Sequence, residues 1–181
     1  MDLLQLMVRL VEELSLLKVP IVFKGAVVLK TALFGYRLDT ERATRDIDGD
    51  WIGEPPSMEQ LNKIINTALL NVGATFTAVP HREYGQGRSA GFTVLDDGNK
   101  IFAIDISIKN NPFCCQYITF NGVQFVGASA AKMFADKMHG ISSNLVFRRG
   151  KDVYDLYLLS TLTGYTTQEI YTILNTIGRT L

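Results

Sequence analysis

The stretch from Phe23 to Asp50, FKGAVVLKTALFGYRLDTERATRDIDGD, constrains this chain more than any other. An apolar run, Pro20-Ile21-Val22-Phe23, leads into Lys24-Gly25-Ala26, then a helical segment, a basic polar linker, and Asp46-Ile47-Asp48 with Asp50 just beyond. The order reads as strand, glycine turn, helix, loop and a second strand carrying paired carboxylates. Gly25 has no Cβ, so the backbone can turn sharply there and a ligand can come close. A helix starting near Ala26 presents free N–H groups and the positive end of its dipole, which favour a phosphate. Asp46 and Asp48 lie two apart, so on a strand their carboxylates share one face and Ile47 takes the other. Two same-side carboxylates repel unless a cation lies between them, and hard oxygen ligands suit Mg²⁺. Neither half is specific alone; their order and short separation give the pattern its weight.

Bulk properties leave room for such a unit. A length of 181 residues fits one domain, or one domain with a helical appendage. With 47% hydrophobic and 20% charged residues, a core can form and disorder is excluded as the default. Lys+Arg and Asp+Glu both number 18, which argues against a general nucleic-acid coat while leaving room for a local basic patch. Cys114 and Cys115 are adjacent, neither a disulfide framework nor a metal set, and are read as buried free thiols in a reducing compartment. Arg9, Glu12 and Glu13 interrupt the apolar N-terminal segment, no small-residue cleavage site follows, and no stretch is apolar enough to span a bilayer. A cytoplasmic protein with no membrane partner is expected.

Taken in order, Leu3, Met7, Leu10, Val11, Leu14 and Leu17 recur at helical spacing, predicting a helix over 2–18 ended by Pro20. A strand over 20–24 and a helix over 26–35 follow, with Gly35 as C-cap. Arg37, Arg42 and Arg45 form either a solvated loop or a set of cations leading a polyphosphate toward the carboxylates. Ser57 caps a helix over Met58–Leu70. Strands are predicted over 74–79, 88–95 and 100–108, the last two joined by the turn Asp96-Asp97-Gly98-Asn99. In the third of these, Ile101, Ala103, Asp105, Ser107 and Lys109 share one face, and Phe102, Ile104, Ile106 and Ile108 the other. Asp105 is then a mid-strand carboxylate among isoleucines, where an unpaired buried charge is costly. It is either exposed or salt-bridged, or it is a third carboxylate brought beside Asp46 and Asp48 by strand pairing.

A hairpin turns at Asn121-Gly122, and Ser129 caps a helix closed by Gly140. In that helix Lys132 and Asp136 form an i,i+4 pair, leaving Lys137 free. Asp152 sits at the start of the following helix, and spacing alone pairs Lys151 with Asp155. A last amphipathic helix runs from Thr167 to Ile177. His81 and His139 show no zinc spacing.

These residues resemble a known family. Lys24-Gly25-Ala26 followed by Arg45-Asp46-Ile47-Asp48 is similar to the signature of the nucleotidyltransferase fold, in which a small-residue turn precedes Asp-x-Asp and a later strand supplies a third acid. With Asp136-Lys137 and Arg149-Gly150-Lys151-Asp152-Val153-Tyr154-Asp155-Leu156, the pattern resembles the AbiEii/AbiGii-type nucleotidyltransferase toxins of type IV toxin–antitoxin and phage-abortive systems, over residues 20 to 160. The resemblance implies that Lys24, Gly25 and Ala26 form the phosphate-binding turn beside Arg45. It makes Asp46 and Asp48 metal ligands, with Asp105 the candidate third, and brings Lys137 and Lys151 to nucleotide phosphates. Asp152 becomes a catalytic residue of the late Lys-Asp motif, which replaces the spacing-only reading by analogy.

The expected fold is α+β: a nucleotidyltransferase-like mixed β-sheet flanked by helices, with a small C-terminal helical bundle. Residues 1–128 would form the core and 129–181 the helical segment, together one compact unit. The expected reaction moves a nucleoside monophosphate from an NTP, with Mg²⁺ or Mn²⁺, onto a hydroxyl of an RNA (tRNA included) or a protein, with an antitoxin protein as partner. Ala26 in place of the family's second Gly or Ser, and a chain that ends soon after the Lys-Asp helix, support a second reading: an inactive nucleotide- or protein-binding relative. A metal-dependent nuclease is a third.

Overall fold

The computed structural model describes residues 2–35, 44–85, 89–108, 115–120, 122–142 and 150–176. They divide into two compact units, Met1–Pro112 with Tyr117–Gly127, and Phe113–Gln116 with Ala128–Leu181.

The first unit begins with α1 (Leu3–Leu16), β1 (Ile21–Lys24), α2 (Gly25–Gly35), β2 (Asp46–Trp51) and α3 (Met58–Val72). It continues with β3 (Phe76–Arg82), β4 (Ala90–Asp96), β5 (Asn99–Ser107), β6 (Cys115–Phe120) and β7 (Val123–Ala128). Local chemistry sets several of these boundaries. Asp2 with Gln5, and Ser57 with Gln60, form capping boxes that satisfy the first free N–H groups of α1 and α3. α1 ends ahead of Pro20, because Lys18 takes a left-handed conformation at φ 55°. Asp97 and Gly98 both have positive φ, the requirement of a tight type I′ hairpin, and they join β4 to β5.

Among the described residues the sheet is seven-stranded, in the order β3-β4-β5-β2-β1-β7-β6. β1 pairs antiparallel with β2 and parallel with β7, β2 pairs parallel with β5, and β3, β4 and β5 form an antiparallel meander. This is the mixed sheet of an α+β fold, with β2 at its centre. The alternation predicted for β5 holds: Phe102, Ile104 and Ile106 are buried, while Ile101, Ala103, Asp105 and Ser107 are half-buried. Phe23, Ile47, Phe92 and Phe102 supply large core side chains, and Phe23 meets Phe125 edge-to-face at 6.0 Å. α3 is fastened to β3 by Asn66, whose amide accepts from the Ala78 N–H at 2.8 Å and donates to its carbonyl at 3.0 Å. Cys115 is exposed on β6, contrary to the expectation of buried thiols; Cys114 lies outside the described residues.

The second unit holds α4 (Ala130–Ile141), α5 (Gly150–Thr163) and α6 (Thr167–Thr176). Ser129 caps α4 as expected, accepting from the Lys132 N–H at 3.2 Å. Gly140 does not close that helix, which continues to Ile141 and is capped by Ser142. Ala135 of α4 and Leu174 of α6 form a small core with Met138, Ile170 and Ile173, and Phe134 packs edge-to-face on Tyr165 at 5.9 Å. Among the described residues no helix is long and apolar enough to cross a membrane.

Candidate active site

Strand register gathers the charged residues of the first unit. Lys24 is the strand partner of Asp48 across β1–β2, and Asp48 is the partner of Asp105 across β2–β5. Asp105 faces Gly91 on β4, and Gly91 faces Arg82 on β3. Five residues from five strands thus form one row across the sheet, Lys24–Asp48–Asp105–Gly91–Arg82. Partners in such a row project from the same face, and neighbouring strands lie about 4.8 Å apart. Asp46, Asp48 and Asp50 alternate along β2 and so share that face, with Asp46 exposed, Asp48 half-buried and Asp50 only 3% exposed. The carboxylates of Asp46, Asp48 and Asp105, which sequence reasoning took together, belong to neighbouring positions on two adjacent strands.

Gly25 stands directly over this row. Its φ of 71° lies in the left-handed region, and a Cβ there would overlap the Asp48 carboxylate. The site therefore requires glycine twice over, for conformation and for space. The same contact sets Asp48 against the start of α2, where free N–H groups and the positive dipole end favour negative charge. Ala26 is buried, so its methyl belongs to the core and only its backbone can face a ligand.

Cations flank the carboxylates. Lys24 Nζ is paired with Asp50, and Arg82 with Asp105. Arg45, exposed, donates its backbone N–H to Asp46 at 3.3 Å, and Thr44 Oγ1 lies 3.5 Å from the same carboxylate. Arg37 and Arg42, the other cations expected to lead a polyphosphate inward, lie outside the described residues. Among the described residues, two side-chain cations, Lys24 and Arg82, are thus paired with two of the four carboxylates at positions 46, 48, 50 and 105. Among the described residues no three His, Cys, Asp or Glu side chains converge as a ready-made metal cage. The donor chemistry nevertheless suits a hard divalent ion: Asp46 and Asp48 offer carboxylate oxygens on one face, and Asp105, turned to Arg82, is the adjoining one.

The second unit holds a different cluster. Lys137 of α4 binds Asp152 at 2.6 Å and Asp155 at 2.7 Å, both on α5. Asp155 is fully buried, while Lys151 is exposed. This overturns two expectations from spacing: Lys137 is not free, and Asp155 is paired with it across two helices. The expected Lys132–Asp136 pair is present at 2.5 Å. Burial by itself pushes the Lys137 ammonium toward deprotonation, but the hydrogen bonds and charges of Asp152 and Asp155 outweigh it and hold its pKa above the usual 10.5.

The model for the family described as nucleotidyl transferase AbiEii toxin, type IV toxin–antitoxin system, matches residues 6–179. The chain belongs to the AbiEii family. As a family member it is a nucleotidyltransferase of the toxin type, which implies an NTP substrate and an antitoxin partner. Solved structures share its fold. The antibiotic-resistance factor ANT(2'')-Ia aligns at a TM-score of 0.61 and 12% identity, over 97% of this chain and 90% of that one. An antigenic nucleotidyltransferase-like protein from Paracoccidioides brasiliensis gives 0.57 and 15%, over 97% and 87%. The nucleotidyltransferase toxin MenT4 from Mycobacterium tuberculosis H37Rv gives 0.55 and 16%, over 88% of this chain and 57% of the toxin. At these identities the likeness concerns the fold alone. No curated protein matches the sequence significantly.

Sequence reasoning missed Arg82 and the role of Asp155. For Arg82 the available signal was Gly91, a glycine inside a strand pattern, which marks close approach of another group. For Asp155 it was position: it lies among Leu156, Leu158 and Leu159, the buried face of α5.

Proposed function

We propose that this AbiEii-family protein transfers a nucleoside monophosphate from an NTP, with Mg²⁺ or Mn²⁺, to a hydroxyl of an RNA (tRNA included) or of a protein. The observation that carries the reading is the register pairing of Asp48 with Asp105, beneath the glycine turn that opens α2. Asp46, Asp48 and Asp105 would hold the ion. When bound, it offsets the charge of the triphosphate and of the leaving diphosphate.

The chain's own residues supply the rest. The Gly25 turn and the N-terminus of α2 receive a phosphate through backbone N–H groups, with Ala26 contributing only its amide. Lys24, fixed on Asp50, holds a positive charge beside Asp48, where its pairing lessens the repulsion among the carboxylates. Arg45, exposed beside Asp46, is a cation available to the triphosphate. Asp152 is the residue assigned to the acceptor hydroxyl, and Lys137 braces it through the 2.6 Å ion pair.

Calorimetric titration with each of the four NTPs, with and without Mg²⁺, tests this on the native chain and on Asp48→Asn. Metal-dependent binding of at least one NTP, abolished by Asp48→Asn, is expected, followed by labelled transfer to RNA or protein. Binding indifferent to both Mg²⁺ and Asp48 would refute the site.

A further inference from the structure

We propose that Arg82 is an exchanging cation of this site: it holds Asp105 when no metal is bound, and turns to the nucleotide phosphates when Asp105 turns to the ion. The inference rests on the metal-dependent reading of Asp46, Asp48 and Asp105 given above. It starts from the backbone. The register of β3 on β4 shifts between Pro80 and Arg82, so that Pro80 faces Phe92 while Arg82 faces Gly91. Such a bulge re-aims a side chain. Here it turns Arg82 onto the row of Asp48 and Asp105, two strands from Asp105, a separation of about 10 Å.

An arginine spans that distance only across a residue with no side chain of its own. Gly91 is that residue. A Cβ on it would lie 2.7 Å from His81 Nε2 and 3.2 Å from Arg82 Cβ. Ser89 aims the guanidinium, accepting from Nε at its carbonyl (2.9 Å) and from Nη2 at its hydroxyl (2.8 Å). The same Nη2 reaches Asp105. A bulge, a bare glycine and two hydrogen bonds to Ser89 all direct one cation to one carboxylate.

Exposure decides what the pair can do. The side chains of Arg82 and Asp105 are 36% and 32% exposed, so their pairing adds little to stability and parts readily. It does occupy Asp105 Oδ1, one of the two oxygens that carboxylate could offer an ion. Arg82 and a divalent cation therefore compete for Asp105, and a displaced guanidinium, still held near Ser89, is a bidentate phosphate ligand beside the carboxylates.

The test is a Mn²⁺ titration of the full chain without nucleotide, read as free Mn²⁺ by electron paramagnetic resonance, followed by titration of Mn²⁺ with each NTP. Arg82→Gln removes the competing charge and should tighten Mn²⁺ alone by about tenfold, while weakening Mn²⁺-dependent NTP binding by about tenfold. Arg82→Lys, which keeps the charge and loses the fork, should change Mn²⁺ affinity less and still weaken NTP binding. Mn²⁺ affinity that is unchanged or lower in Arg82→Gln overturns the proposal, as does unaltered NTP binding. A failure of Arg82→Gln to fold, seen in its melting curve, overturns it too, because the pair would then be a structural strut. Asp48→Asn is the control: if it leaves Mn²⁺ binding intact, the metal-site reading itself has failed; if it abolishes Mn²⁺ binding and Arg82→Gln changes nothing, only the inference about Arg82 has.

Discussion

Two clusters of basic side chains and aspartates occupy the two units of this molecule, and their surroundings make them opposites. In the helical unit, Lys137 lies between Asp152 and the fully buried Asp155. In the sheet unit, Asp46, Asp48 and Asp105 share one face of two adjacent strands, with Asp46 exposed and Asp48 and Asp105 half-buried. A buried charge must keep its partner, since losing it leaves an ion in a medium that cannot solvate it. Half-exposed charges can change partners, since water covers the difference. The same residue types therefore make a fixed brace in one place and an adjustable site in the other.

The largest effect should come from breaking the brace. Lys137→Met takes from the buried Asp155 the ammonium 2.7 Å away and should cost about 3–5 kcal/mol of stability. Urea unfolding read by circular dichroism measures it. Adding Asp155→Leu should recover part of the loss, because a buried charge that has lost its lysine is removed. A Lys137→Met protein as stable as the parent would make the brace an exchangeable pair as well, and the contrast would disappear.

Asp48→Asn attacks the other side of the comparison. Transfer should fall by about 10²–10³-fold, the scale of losing one electrostatic group in a reacting site. Stability should hold or rise, because one of several crowded carboxylates is neutralised. Labelled-nucleotide transfer and a melting curve on the same sample read both. Loss of folding together with loss of transfer would place Asp48 among the structural charges.

The difference between the clusters also sorts what the sequence disclosed. Features written locally were legible: the Ser57 and Ser129 caps, the alternation of β5, the Asp97-Gly98 hairpin, and the Lys24-Gly25 turn ahead of Asp46 and Asp48. Even the long-range pairing of Asp105 with Asp48 could be anticipated, because a mid-strand aspartate among isoleucines needs a reason. Gly91 signals a close approach, but not that Arg82 makes it, because that depends on a bulge between Pro80 and Arg82, and a bulge has no fixed spacing in the sequence. Asp155 was assigned to Lys151 because i,i+4 spacing reports neighbours on one helix. Its partner lies on another helix, fixed by how α4 and α5 pack.

Gly25→Ala probes how closely the turn is fitted to the row. The positive φ costs an alanine about 1–2 kcal/mol, and its methyl must push aside the Asp48 carboxylate. Transfer should fall further than this stability loss accounts for, since a displaced carboxylate affects metal binding directly. Mn²⁺ affinity measured beside the unfolding free energy separates the two. A variant that loses stability but binds Mn²⁺ normally would show that the contact with Asp48 has no part in the site.

The smallest effect is in pH, and it belongs to the Lys137 brace. The Lys137 pKa is raised in the folded state, because Asp152 and Asp155 outweigh the opposing effect of burial. Below the ordinary value of 10.5 both folded and unfolded chains carry the proton, and the brace contributes its full stability. Above it the unfolded chain releases the proton first, so folded protein binds more protons and stability falls as pH rises; beyond the raised pKa the contribution is gone. The quantity to follow is the difference in urea midpoint between the parent chain and Lys137→Met. That difference should be flat from about pH 7 to pH 10 and shrink above the ordinary lysine value. A Lys137 difference that persisted undiminished at strongly alkaline pH would mean that packing of the lysine stem, rather than its charge, joins α4 to α5.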